Sequence, residues 1–239
     1  MEQRPLERRA SIRTAVVWEA CRDRLAGLGP QTVLDIGGGT GGLAVRIAEL
    51  GHRVTVVDPS PDALAALDRR AREHDVADAI SGILGDLDGL DGLVAAASVD
   101  LVLCHEVLGL VDDAAAALAS IARALRPGGL LSLLVSQRHA AVLARAMAGH
   151  FAQARQVLDE ERVPGERRFS ADDLQGLVVG AGFAVDAVHG VRVFADLVPS
   201  TLLDLEPGAV NGLLDLERAV ADRPEYRAIA TQLHLLATR

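Results

Sequence analysis

The residues best suited to chemistry in this chain are glycines and acids gathered in its first third. In VLDIGGGTGG, residues 33–42, Gly37, Gly39 and Gly41 stand between an aliphatic run and an apolar-periodic segment. Glycines there permit a tight turn and let a ligand come close to the backbone, and a following helix offers N–H groups at its start. Alone the loop is ambiguous, because Gly37, Gly39 and Gly42 also fit the G-x-G-x-x-G of dinucleotide-binding loops. Three acids separate the readings. Asp35 stands two residues before the first glycine, where it repels a phosphate and welcomes an amino group on a sulfonium-bearing ligand. Asp58 closes RVTVVD, placed to accept from both hydroxyls of a ribose, although a strand-end acid also serves as a local cap. Asp86, in GDLDGL, is placed to accept from an adenine amino group. An acid at each of the first three strand ends suits an adenosyl ligand with a cationic centre and no phosphates.

Those residues need elements to position them. QTVLDI, RVTVVD, AISGIL, SVDLVLCHEV and LLSLLVS read as five strands, and helical patterns alternate with them. Ser60 and Pro61 suit the cap and first position of the helix after Asp58. ALRPGG reads as a helix with a Pro-Gly stop. FAVDAVHGVRVFADL and YRAIATQLHLLATR supply two later strands. Alternation of this kind implies parallel βαβ units. The expected fold is α/β: a Rossmann-like, seven-stranded, mostly parallel sheet with helices on both faces and a helical insertion after strand 5. Residues 1–239 read as a single domain, with 1–29 an N-terminal arm and helix and 137–170 a cap insertion.

Composition narrows the function classes. Half the residues are hydrophobic, so the chain has material for a core. The net charge of −9 argues against a broad nucleic-acid-binding surface, though it leaves room for a small basic patch. All 24 basic residues are arginine, which removes the Tyr-Lys pair a nicotinamide oxidoreductase would use. Cys21 and Cys104 have no metal-ligand spacing and no disulfide framework, and Cys104 lies in an apolar run that suits a buried, inert thiol. No metal is expected. The N-terminus has no apolar signal region and no stretch is long enough to span a bilayer, so the cytoplasm is the expected location and no membrane partner is expected.

VLDIGGGTG, VVDPS and ALRPGGLL resemble the class I S-adenosylmethionine-dependent methyltransferases in their first motif, ribose-binding strand end and turn into strand five. The resemblance implies S-adenosyl-L-methionine as cofactor. SIRTAVVWEACRDRL, VDLVLCHEVLGLV, AMAGHF, HGVRVFADL and YRAIATQLHLLATR further resemble, in order and spacing, the tRNA 5-carboxymethoxyuridine methyltransferases, which esterify the carboxylate of a modified wobble uridine. By position, Arg13 would meet the methionine carboxylate of the cofactor, and Gly37, Gly38 and Gly39 would line it. Asp58 would hold its ribose, and His105 would sit beside it. Arg192 and His139 would lie on the substrate side, with Arg192 the cationic partner of the acceptor carboxylate. Such an acceptor is ionised at neutral pH, so the reaction needs alignment rather than a general base. Glu106 is the nearest acid to the loop in that role, and reads equally as a helix-start or solvent-facing acid.

The region after AMAGHF departs from the family's pattern. It interleaves acids and amides with Arg162, Arg167 and Arg168, and aromatics for stacking on a base reduce to Phe151, Phe169 and Phe194. The partner is therefore either tRNA or a small-molecule carboxylate. The alternative activity is a small-molecule O-methyltransferase on a carboxylate or hydroxyl. An oxidoreductase or a non-catalytic binding protein stands as the reading from another class.

Overall fold

The computed structural model describes the backbone of residues 5–159, 162–163, 166–205 and 208–239, and the side chains of 14–158, 167–199, 201–203 and 208–239. Helix α1 (Pro5–Leu25) leads into β1 (Thr32–Ile36), α2 (Gly42–Glu49), β2 (Arg53–Asp58), α3 (Pro61–Glu73) and β3 (Ile80–Leu84). Then come α4 (Leu90–Leu93), β4 (Val99–His105), α5 (Ala114–Ala124) and β5 (Leu125–Ser136). The insertion holds α6 (Arg138–Met147), α7 (Phe151–Asp159) and a small hairpin of β6 (Arg162–Val163) and β7 (Glu166–Arg167). The chain ends with α8 (Ala171–Gly180), β8 (Ala184–Val191), α9 (Ser200–Leu205), α10 (Ala209–Val220), α11 (Pro224–Arg227) and β9 (Gln232–Thr238). Among the described residues no helix is long and apolar enough to cross a membrane.

Seven strands form one sheet in the order β3-β2-β1-β4-β5-β9-β8. The pairs β1–β2, β1–β4, β2–β3 and β4–β5 are parallel. This is the mostly parallel Rossmann-like sheet read from the sequence. Its central strands are sealed on both faces, with Val33, Leu34, Val102 and Leu103 wholly buried, as continuous aliphatic runs require. The chain runs outward from β1 to β3 and then crosses back to β4, so the strand order reverses between β1 and β4. In open α/β sheets ligands bind outside the carboxyl ends of the strands at such a reversal.

Two compact units divide the chain. The first holds residues 25–135, 173–186 and 235–239. Its helix starts follow local rules: the Ser60 hydroxyl accepts from the Ala63 N–H at 3.2 Å, and one Asp113 oxygen accepts from Ala115 and Ala116. Asp100 accepts from the Thr32 N–H at 2.8 Å and pairs with Arg126. The second unit holds residues 1–24, 136–172 and 187–234. There the buried Gln137 side chain donates to the carbonyls of Arg227 and Ala228 and accepts from the Ala140 N–H. Val193, Val220 and Ala230 make a small core with Phe194, Tyr226 and Ile229.

Three boundaries differ from the sequence reading. The Pro-Gly segment does not stop a helix in a loop. Helix α5 ends at Ala124, and RPGG lies inside β5, opposite a register shift between Val99 and Leu101 of β4. The Gly128 N–H donates to the carbonyl of Arg239, and Arg239 N–H returns to Gly129 at 2.9 Å, a long-range pairing that local turn signals do not contain. The final strand starts at Gln232, because Pro224 opens a short helix over the residues read as its beginning. Helix α1 already runs from Pro5 to Leu25, which leaves little of the arm read within 1–29.

Candidate functional site

The first unit contains a cavity of about 430 Å³ at the carboxyl ends of β1, β2 and β4. That volume falls within the roughly 300–1,000 Å³ of small-molecule sites. Gly37 follows β1, Asp58 ends β2, His105 ends β4 and Asp86 follows β3, and all four line the cavity. The sheet reversal therefore brings together residues separated by up to 68 positions in the sequence.

The glycine loop is fitted to its surroundings. Gly37 has φ +69°, and a Cβ there would stand 2.4 Å from Cγ2 of Val107, so this turn admits no side chain. Its N–H donates to the Val57 carbonyl at 2.7 Å, tying the loop to β2. Gly41, also left-handed, caps α2 without any side-chain hydrogen bond.

Asp58 is anchored at both oxygens. Oδ2 accepts from the Gly39 N–H and Oδ1 from the Ser60 N–H, each at 2.9 Å. A carboxylate oxygen accepts two hydrogen bonds, so each retains capacity for a ligand hydroxyl in the cavity. That arrangement fits the two hydroxyls of a ribose. Asp86 lies at the edge of the cavity, with Oδ1 accepting from the Gly89 N–H at 3.0 Å.

Asp35 takes a different position. It is buried beneath the loop, and a Cβ on Gly38 would stand 2.4 Å from its Oδ2. Burial, and then the nearby Asp58 charge, push its carboxyl up to about 7. The same burial, with Asp35 beside it, raises the Cys104 thiol to about 12, in keeping with an inert sulfur. His105 reaches the Ser132 hydroxyl at 2.9 Å, and burial lowers it to about 4, so it is neutral at physiological pH.

Among the described residues the charged side chains lining the cavity are acidic: Asp58, Asp86, Asp88 and Glu106. A ligand with phosphates would be repelled there, and one with a cationic centre favoured. Val107, Leu110 and Val111 supply an apolar wall on which a flat ring can lie. The sequence reading missed that wall, whose signal was an apolar triplet spaced as a turn after β4. Glu106 was noticed, but its left-handed backbone, φ 59°, was not foreseeable from its residue type.

The expected substrate-side residues belong to the second unit. His139 is exposed on α6. Arg192 has φ 58°, and its guanidinium pairs with Asp196 at 2.6 Å. The Arg13 side chain lies outside the described residues.

Residues 33–129 match a family profile described as a methyltransferase domain. The tRNA 5-carboxymethoxyuridine methyltransferase of Escherichia coli (strain K12) is 28% identical over 239 residues, which is 97% of this chain and 89% of the relative. The ubiquinone biosynthesis O-methyltransferase of Xanthomonas axonopodis pv. citri is 37% identical over 121 residues, covering 49% of this chain and 48% of that protein. Among solved structures, an S-adenosylmethionine-dependent methyltransferase from Mesorhizobium loti superposes with a TM-score of 0.62 at 22% identity, covering 93% of this chain and 97% of that one, a likeness of fold.

Proposed function

We propose, on the premise that this chain is an S-adenosylmethionine-dependent methyltransferase, that it esterifies the carboxylate of a 5-carboxymethoxyuridine at the wobble position of tRNA. One observation carries the choice of acceptor: the likeness to the Escherichia coli relative extends over 97% of the chain, beyond the matched methyltransferase domain. In this reading residues 1–239 work as one domain in the cytoplasm, with 1–29 as arm and helix and 137–170 as a cap.

S-adenosyl-L-methionine bound here would supply a methyl group on a sulfonium, with a neutral thioether as the leaving group. The chain's own residues bind and align. Asp58 accepts from the ribose hydroxyls with the capacity its two backbone bonds leave. Asp86 accepts from the adenine amino group, and the backbone of Gly37, Gly38 and Gly39 lines the cofactor. Asp35, beneath Gly38, takes up negative charge as the cationic amino end arrives, and Arg13 meets the methionine carboxylate. Neutral His105 fills the end of β4 beside the cofactor. Arg192 and His139 hold the acceptor, whose carboxylate attacks without a general base because it is already ionised.

A second reading, transfer to a small-molecule carboxylate or hydroxyl, is favoured by the chain's net charge of −9 and its lack of lysine. Modification analysis of tRNA from a strain lacking the protein separates the two. Loss of the methyl ester of carboxymethoxyuridine supports the first, and an unchanged ester level supports the second.

A further inference from the structure

We propose that Arg192 and Asp196 form a self-occupied carboxylate site, in which Asp196 stands where the acceptor's carboxylate binds, on a turn built by Glu217. This rests on the carboxylate-acceptor reading and adds what holds the guanidinium before an acceptor arrives. Three groups of observations in the second unit converge on it.

The first is the turn. Glu217 of α10 is 1% exposed, and its carboxylate accepts the N–H groups of Val193, Phe194 and Ala195 at 2.9, 2.8 and 2.7 Å. Gly190 N–H donates to the Ala221 carbonyl at 2.7 Å on the other side of Arg192. Held between these bonds, Arg192 adopts a left-handed backbone that L-residues seldom take. A strained residue persists where its surroundings over-determine it, and such residues gather at ligand sites.

The second is the guanidinium. Nη2 lies 2.6 Å from Oδ2 of Asp196, while Nε is closed off from solvent and has no acceptor among the described residues. An arginine fork is made for two parallel bonds to one carboxylate, and Asp196 is placed to serve only part of it. An incoming carboxylate that displaced Asp196 and met Nη2 and Nε together would satisfy the orphaned donor. A hydroxyl has one oxygen and does not bridge both.

The third is exposure. Both side chains of the pair are accessible at 22% and 23%, so Asp196 can give way to an external anion while the turn stays fixed. Glu217 is then a positioning residue and Asp196 an internal competitor that selects for acceptors carrying a carboxylate.

The test uses the full chain with two nucleosides, 5-carboxymethoxyuridine and its uncharged methyl ester, measured by calorimetry, alongside steady-state transfer to a tRNA anticodon stem-loop carrying the acid. Asp196→Asn should tighten the acid about fivefold, the worth of a partly exposed ion pair, and leave the ester alone. Arg192→Ala should erase the preference for acid over ester. Glu217→Gln, or Glu217→Asp if the first does not fold, should raise KM for the stem-loop severalfold while cofactor affinity holds. Equal or weaker acid binding by Asp196→Asn overturns the competitor role. An unchanged KM in a folded but less stable Glu217 variant reduces Glu217 to a structural brace and overturns its positioning role. If the wild type binds neither nucleoside and methylates no such RNA, the tRNA reading fails by itself. Acetate titration followed at the Arg192 Nε–H resonance then still decides the site: tighter acetate in Asp196→Asn supports it, and equal affinity overturns it.

Discussion

Asp58 and Glu217 solve the same local problem in opposite ways. Each is a carboxylate that accepts backbone N–H groups from a tight turn, two for Asp58 and three for Glu217. Asp58 ends a strand at a cavity, so its remaining acceptor capacity faces a space that a ligand can enter. Glu217 is sealed, and three of its four acceptor positions are taken by the turn it supports. A carboxylate bound to amides is therefore a ligand group or a brace according to what its last lone pairs face. Residue type does not tell them apart.

The contrast breaks most visibly at Glu217. Glu217→Ala strands three N–H groups in a partly buried turn, which at about 1–2 kcal/mol each should cost roughly 3–6 kcal/mol of stability, read as a fall in denaturation midpoint. A loss under 1 kcal/mol would mean that water reaches those amides and that Glu217 is no brace.

Asp35 gives the next largest effect, through pH. Its carboxyl is ionised above 3.8 in the unfolded chain but stays protonated up to about 7 in the ligand-free fold. The fold therefore holds an extra proton in that window, and this contribution to stability drains away as pH rises from 4 to 7, by at most about 4 kcal/mol. His105 works the other way: lowered to about 4, it resists the proton that the unfolded chain takes up below 6.5, so stability falls as pH drops through that range. Asp35→Asn should leave only the histidine slope, with stability rising from pH 4 to 6.5 and level above it. A variant whose chemical denaturation keeps the wild-type profile would place the Asp35 carboxyl in contact with water.

Asp58→Ala should fold and weaken cofactor binding by about 1.5–3 kcal/mol in calorimetry, the worth of hydrogen bonds to a charged acceptor. Unchanged affinity would make Asp58 a second brace and erase the contrast. The smallest effect belongs to its neighbour. Ser60→Ala removes the cap of α3 at about 1 kcal/mol of stability and should leave cofactor affinity as it was.

The sequence made one side of this contrast legible and hid the other. Asp58 sits at the end of an aliphatic run, one residue before a proline and two before a capping serine, so its strand, its position and its direction followed from local pattern. Glu217 accepts from amides 22–24 positions away, and in LERAV it reads like any polar residue on a helix. The RPGG segment failed for the same reason, since only its partner at Arg239 reveals it as strand. Arg192 and Glu106 were noticed for their charge, yet their left-handed backbones come from tertiary bonds that residue type does not encode. What periodicity and turn chemistry specify could be read. What one distant bond specifies could not.

Strand β9 lies between β5 and β8, and residues 235–239 belong to the same unit as the glycine loop. During synthesis that unit waits for residues 235–239 to be made. Until they leave the ribosome, β5 presents a bare edge whose N–H and C=O groups invite pairing with any passing strand. Loss of β9 by a stop codon before it would thus injure the domain that holds the cavity, although every residue lining that cavity had long been translated.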